Sequence, residues 1–187
     1  MERKSNAWLI LLNLALFGGL FMFGLYLQQV LHSDALLAGI QLLPMMIVFV
    51  IGNIIFSKIT KQFGIKKPLL FGLSLAAVTS VGLALSVFTE NYALLAVLYA
   101  LGNLGIGISV PAMTTLTMQS AGSEYSNIAS TMLNIARQTG SLVGVAVLGI
   151  AFYLFSDKLQ TSSLSFAIMA VSYFLAVGLV AKIRVEA

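Results

Sequence analysis

Arg137 and Gln138, with Asn134 one turn before them, interrupt the stretch STMLNIARQTGSLVGVAVLGIAF, which otherwise reads as a membrane-crossing helix. A charge in such a span costs ~2.5–3.5 kcal/mol on insertion scales, so it needs a reason to be there. Arginine stays protonated and cannot relay a proton, but its planar fork of donors holds anions and several acceptors at once. The other groups able to do chemistry are few. Histidine occurs once, at His32, and cysteine not at all, which excludes a multi-histidine metal site and thiolate chemistry. The six acids, Glu2, Asp34, Glu90, Glu124, Asp157 and Glu186, all fall at termini or between apolar runs. Ser109 follows a run of glycines, but no histidine lies in any apolar segment to activate it. Neither enzymatic catalysis nor a cofactor is expected.

These residues must be positioned by apolar elements. The 187-residue chain is 59% hydrophobic and 9% charged, with a mean hydropathy of +1.01. A soluble domain carries roughly a quarter charged residues, so this is an integral membrane protein. The pI near 9.5 raises the possibility of nucleic-acid binding, but the basic residues flank the apolar runs and set topology instead. A bilayer core takes about 20 apolar helical residues. Six segments qualify, at 7–30, 36–57, 68–88, 92–118, 127–155 and 164–181. The runs are continuous rather than alternating, which argues against a β-barrel. The expected fold is all-α, a single polytopic domain of six transmembrane helices, in the plasma membrane.

Lysine and arginine orient it. With the N-terminus inside, the inner segments hold Arg3, Lys4, Lys58, Lys61, Lys66, Lys67, Lys182 and Arg184, and the outer ones only Lys158. Both termini are then cytoplasmic, and the turns HSD, TEN and SDKLQTSS lie outside.

The side-chain amides are unevenly spread. The first span holds Asn13, Gln28 and Gln29; the second Gln41 and Asn53; the fourth Asn103; the fifth Asn127, Asn134 and Gln138. The third and sixth have none and look the most lipid-like. Three plus three helices with this pattern suggest two inverted repeats, the plan of a transporter half. On the fifth span, Ser130, Asn134, Arg137, Ser141 and Gly144 share a face; a weaker stripe on the first joins Asn13, Phe17, Gly24 and Gln28. Each stripe suits either hydrogen bonding between helices or the wall of a wet cavity. In the fourth span, GNLGIGISVPAM places Gly102, Gly105, Gly107 and Pro111 together, for close packing or for bending. No strand precedes these glycines and no lysine follows, so they are not a phosphate loop. Counted from Asn127, Arg137 would lie about 15 Å along its helix, near mid-membrane; with the polar start NIAST in the headgroup zone it would be shallower and snorkel to the interface. Structural anchor, interdomain latch and a direct substrate or coupling role all remain open for it.

Three stretches, YLQQVLHSDALLAGIQLLP, GNLGIGISVPAMTTL and ASTMLNIARQTGSLVGVAVLG, resemble the C-terminal domain of the fourteen-span drug/proton antiporters of the major facilitator superfamily. The resemblance runs from about Phe21 to Phe155. Its arginine–glutamine–x-glycine element falls on Arg137, Gln138 and Gly140, its tyrosine–leucine–glutamine element on Tyr26, Leu27 and Gln28, and its leucine–proline on Leu43 and Pro44. The resemblance implies export of lipophilic, often cationic compounds in exchange for protons. It also implies that the first and fourth helices line a cavity, the second and fifth flank a second domain, and the third and sixth are peripheral. Ser57, Lys61 and Gln62 stand where the superfamily often has glycine, aspartate and arginine in its cytoplasmic loop signature, so that charge relay cannot form here. The family has two such domains, and an N-terminal partner domain is missing; the coupling carboxylate is expected there. The candidate substrate-pathway or interdomain residues are Asn13, Gln28, Asn103, Pro111, Asn134, Arg137 and Gln138, with no metal site. The expected partners are the bilayer, a small lipophilic substrate, and either the missing half or a second copy of a half-size transporter. The competing reading is a membrane scaffold or assembly subunit.

Overall fold

The computed structural model describes residues 7–182; Glu2, Arg3, Lys4, Arg184 and Glu186 lie outside them. Six helices follow in order: α1 (Ala7–Gln29), α2 (Ala35–Phe63), α3 (Lys66–Ser86), α4 (Tyr92–Ala121), α5 (Ser126–Leu154) and α6 (Lys158–Ala181), with a 3-10 turn at Val87–Thr89 after α3. All six are long and apolar enough to cross a membrane.

The polar residues between the spans begin and end these helices. Asp34, Asn91 and Asp157 each accept a hydrogen bond from a backbone N–H three residues on, at 2.7, 3.3 and 3.0 Å, and so cap α2, α4 and α6. Three acceptors therefore sit at the same end of the bundle. Lys158 folds back there to donate to the carbonyls of Phe152 and Phe155, closing α5. At the opposite, basic end, Gly64 and Gly122 stop α2 and α4 at φ 69° and 74°, which a side chain would strain.

Two boundaries differ from the sequence reading. α2 continues through Phe63, so Ser57–Phe63 is helix, and only Gly64 and Ile65 separate α2 from α3. α6 begins at Lys158 rather than Leu164, because the Asp157 cap nucleates it early; Ser162, expected in an outer loop, is wholly buried.

The neighbours run α2–α4–α3–α6–α1–α5, so α2 and α5 are the open ends of the row. Exchanging α1 with α4, α2 with α5 and α3 with α6 maps α2–α4 onto α5–α1, α4–α3 onto α1–α6, and the central α3–α6 pair onto itself. Three crossings separate the members of each exchanged pair, so the halves run in opposite directions: two inverted three-helix repeats. The expectation that α3 and α6 are the most lipid-like fails, since they pack on each other at the centre and are well covered. Within their buried stretches the polarity is in hydroxyls, not amides. Thr79, Ser80, Ser165 and Ser172 donate to carbonyls three or four residues back, so these side chains enter the core without needing another helix.

The middle of the bundle is held by aromatic stacking and small residues. Phe23 of α1 lies flat on Tyr99 of α4, ring centroids 4.4 Å apart, with Phe166 of α6 beside it. Glycines let backbones touch: Gly52 of α2 meets Gly107 of α4, Gly72 of α3 meets Gly105 of α4, and Gly140 and Gly144 of α5 sit on the α1 backbone. Hydrogen bonds between elements gather near the helix ends: Tyr26 to the Val87 carbonyl, Tyr92 to that of Gln41, Ser163 to that of Ala84, and Lys66 to that of Ala181. At about 0.6 kcal/mol each on average, such bonds align the bundle more than they drive its packing.

Candidate functional site

α5 packs through Ala129, Leu133, Ala136, Gly140, Gly144, Leu148 and Phe152, one stripe at steps of three and four. The fit to α1 is close: a Cβ on Gly140 would stand 2.5 Å from the Ile10 carbonyl oxygen and 2.9 Å from Asn13 Cβ. Beside this stripe runs the polar face. Asn127, Ser130, Asn134 and Gln138 are exposed, while Arg137 and Ser141 are half-buried at the edge where α5 meets α1. Ile128, Met132 and Ile135 occupy the far side, also exposed. α5 is thus amphipathic without its polar face being covered by this bundle.

The glycine contacts also fix depth. Gly140 abuts Ile10, Asn13 and Leu14, so Arg137, three residues earlier on a parallel helix, lies near the level of Trp8–Ile10. That is about one turn from the start of α1, roughly 5 Å. Residues 126–136 extend past Ala7, the first described residue of α1, while Ala129, Leu133 and Ala136 are still buried against the bundle; Arg137 thus stands nearer that end of α1 than its middle, in keeping with the shallower of the two depths the sequence left open. The overhang accounts for the polarity of Asn127, Ser130 and Asn134. It leaves Arg137, Gln138 and Ser141 as the polar group alongside the helices. These three, with Phe17 of α1 and with Leu142 and Val145, line an open pocket of about 450 Å³. Among the described residues, the Arg137 guanidinium has no acid and no hydrogen-bond partner.

The other candidates lie apart from this pocket. Asn13 is buried and donates to the Leu9 carbonyl at 2.7 Å, with Met113 Sδ of α4 at 3.8 Å. Asn103 is buried and donates to the Tyr99 carbonyl at 2.9 Å. Gln28 is exposed at the opposite end, reaching the Gly24 carbonyl at 3.4 Å. Pro111 is half-buried in α4, which continues unbroken through it. Gly102, Gly105 and Gly107 each face a neighbouring helix, at Thr79, Gly72 and Phe49, so close packing accounts for them. Ser109 is buried and donates to the Gly105 carbonyl.

Two features were not singled out from sequence. Leu142 and Val145 complete the Arg137 pocket, but one apolar residue among many on a helix carries no mark. A small cavity of about 20 Å³ lies between Thr79, Ser80, Tyr99, Asn103 and Tyr173. Its tyrosines, on α4 and α6, meet only once the helices are packed.

Comparison with known proteins agrees with this architecture. The chain matches the Major Facilitator Superfamily over residues 3–145. It is 41% identical over 171 residues to a methylenomycin A resistance protein of Bacillus subtilis, covering 91% of this chain and 37% of the relative. It is 37% identical over 165 residues to a methylenomycin A resistance protein of Streptomyces coelicolor, covering 88% of this chain and 35% of the relative. A multidrug resistance protein of Mycobacterium tuberculosis is 28% identical over 137 residues, 72% of this chain and 25% of its own length. The chain thus spans little more than a third of the curated relatives it matches best here. With six spanning helices in inverted triplets and drug-resistance relatives, the chain belongs to the major facilitator superfamily of transporters.

Proposed function

We propose that the chain forms one six-helix half, the C-terminal one, of a drug exporter that works by alternating access against a second half, with export coupled to proton entry. The observation that carries this reading is the uncovered polar edge of α5. Arg137, Gln138 and Ser141 face away from the core of their own bundle, beside an open pocket, in a chain whose relatives are named for drug resistance. A half-buried charge without a partner is retained where something outside the bundle uses it. Ile128, Met132 and Ile135 on the same overhang give a second half an apolar surface to cover.

The described acids are Asp34, Glu90, Glu124 and Asp157, all between helices and two of them caps. Proton coupling needs a titratable group inside the membrane, so the carboxylate is assigned to the second half. Lys58, Lys61, Lys66, Lys67 and Lys182 gather at one end and Lys158 at the other, a bias that supports reading the chain as a plasma-membrane protein with its basic end and both termini in the cytoplasm. Asn134, Arg137 and Gln138 form the edge toward the second half and the cargo, Gln28 the opposite mouth, and Pro111 the point where α4 bends between states. Asn13 and Asn103 act in packing within the half. The cargo is lipophilic; the positive charge at the pocket gives this half no preference for a cation.

The test is protection of a methylenomycin-sensitive bacterial host. Expressed alone, the chain gives none. Co-expressed with the part of the Bacillus subtilis relative that it does not align to, it protects. Full protection by the chain alone would overturn the reading and favour a half-size transporter acting as a dimer.

A further inference from the structure

Given that the chain is one half of an exporter, as proposed above, we infer that the Arg137 pocket binds the carboxylate of a small amphiphilic organic anion, so that the cargo class includes lipophilic acids. Three observations converge on this. The pocket holds a permanent positive charge, and among the described residues nothing neutralises it. Arg137 is half-buried next to Phe17 of α1, so the charge is partly withdrawn from water and an anion gains more from it than at an exposed surface. The guanidinium fork matches the two oxygens of a carboxylate in a bidentate pair.

The rest of the lining fits the body of such a molecule. Gln138 and Ser141 add donors beside the guanidinium, while Phe17, Leu142 and Val145 supply an apolar wall. About 450 Å³ is within the ~300–1,000 Å³ of small-molecule sites, which are mostly apolar with a few convergent polar groups. A lipophilic cation meets the same wall and the wrong charge. The pocket also lies close to the basic end of the bundle, at the level of the first turn of α1, where anionic lipid headgroups are the alternative source of an anion. The planar fork and the apolar wall of Phe17, Leu142 and Val145 suit a carboxylate on a compact apolar body, so the small acid is the occupant we assign, and the lipid headgroup is the outcome the test must separate from it.

The experiment uses the 187-residue chain in phosphatidylcholine nanodiscs, titrated with 2-naphthoate and with the isosteric cation 2-naphthylmethylammonium. Saturable binding is read from naphthalene fluorescence and corrected against empty discs. 2-Naphthoate is expected to bind about tenfold or more tightly than the cation. Arg137→Gln is expected to abolish that preference, and Arg137→Lys to weaken naphthoate binding about fivefold, because the charge survives and the fork does not. Val145→Phe, which fills the pocket and leaves the charge in place, is expected to lose naphthoate binding too; helix content and thermal unfolding of each variant show whether it is folded. Cation binding equal to that of the acid, or undiminished naphthoate binding by folded Arg137→Gln, would overturn the inference. Competitive displacement of naphthoate by 20% phosphatidylglycerol in the discs would also overturn it, by giving the pocket to lipid. If host protection succeeds while naphthoate binding fails, the exporter reading stands and only the assignment of this pocket to acids is lost.

Discussion

The α2–α4 seam and the α5–α1 seam are equivalent under the exchange of the two repeats, and they use the same packing device. Gly52 of α2 meets the Leu104 carbonyl of α4, and Gly107 of α4 meets the Phe49 carbonyl of α2; Gly140 and Gly144 bring α5 against the carbonyls of Ile10 and Leu14. The outer faces differ. α2 presents Leu36, Ile40, Leu43, Ile47, Val50, Ile51 and Ile54, all exposed, and its one deep amide, Asn53, donates to its own Phe49 carbonyl. α5 presents Arg137, Gln138 and Ser141 at its junction with α1. Inversion fixes how the helices pack and leaves the outer surfaces free to diverge, so the charge and the amide–hydroxyl pair are carried on one seam only.

The largest expected effect strikes both seams alike. Gly140→Leu and Gly107→Leu each drive a side chain into a neighbouring backbone, where a Cβ at Gly140 already stands 2.5 Å from a carbonyl oxygen. Overpacking costs ~1–3 kcal/mol and sometimes more. Both variants should lose stability by at least that much in thermal unfolding, while Gly178→Leu, with nothing within 4 Å, should match the parent. A large difference between the two seams would break their equivalence.

The next effect separates the seams. With a second half supplied, Arg137→Lys should impair export severely and Arg137→Ala at least as much. Both should shift unfolding by less than about 1 kcal/mol, since among the described residues the guanidinium holds no partner to lose. Asn53→Leu on α2 should leave export near the parent level. Loss of export by Asn53→Leu with wild-type activity in Arg137→Ala would invert the account.

Smaller still is the topological pattern. Cysteines at His32 and Ser156, both exposed, should label with an impermeant reagent from outside and one at Lys61 should not. Ser33 and Ser162 are poor reporters, being 8% and 0% exposed. The smallest effect is at the caps: Asp34→Ala should cost about 1 kcal/mol, and Asn91→Ala less, because its bond is longer, 3.3 against 2.7 Å.

The six spans, the inverted triplets and the family were legible in the sequence because a membrane demands unbroken apolar length and marks its edges with lysine. What was lost is what depends on helix against helix. Counting from Asn127 left Arg137 either deep or near the interface, since nothing in a single helix reports where its neighbours begin. The amide count made α3 and α6 seem lipid-facing, because hydroxyls that bond to their own helix, such as Ser80 and Ser165, can be buried at the centre. For Asn13 and Asn103 the sequence left hydrogen bonding and a cavity wall both open; each donates to the carbonyl four residues back, an option open to any helical asparagine and invisible to a stripe argument. The stripe did find Arg137 beside Ser141, since a shared face follows from helical periodicity alone.

The most direct test of the central claim, that the α5 edge at Arg137 faces a wet interface with a second half, compares two positions within the two turns that follow Arg137. Ser141→Cys lies on the pocket side and Val143→Cys on the exposed apolar side. In membranes containing both halves, the account predicts that a charged, water-soluble methanethiosulfonate reagent modifies Ser141→Cys at least about tenfold faster than Val143→Cys. Equal rates, or faster modification of Val143→Cys, would contradict it.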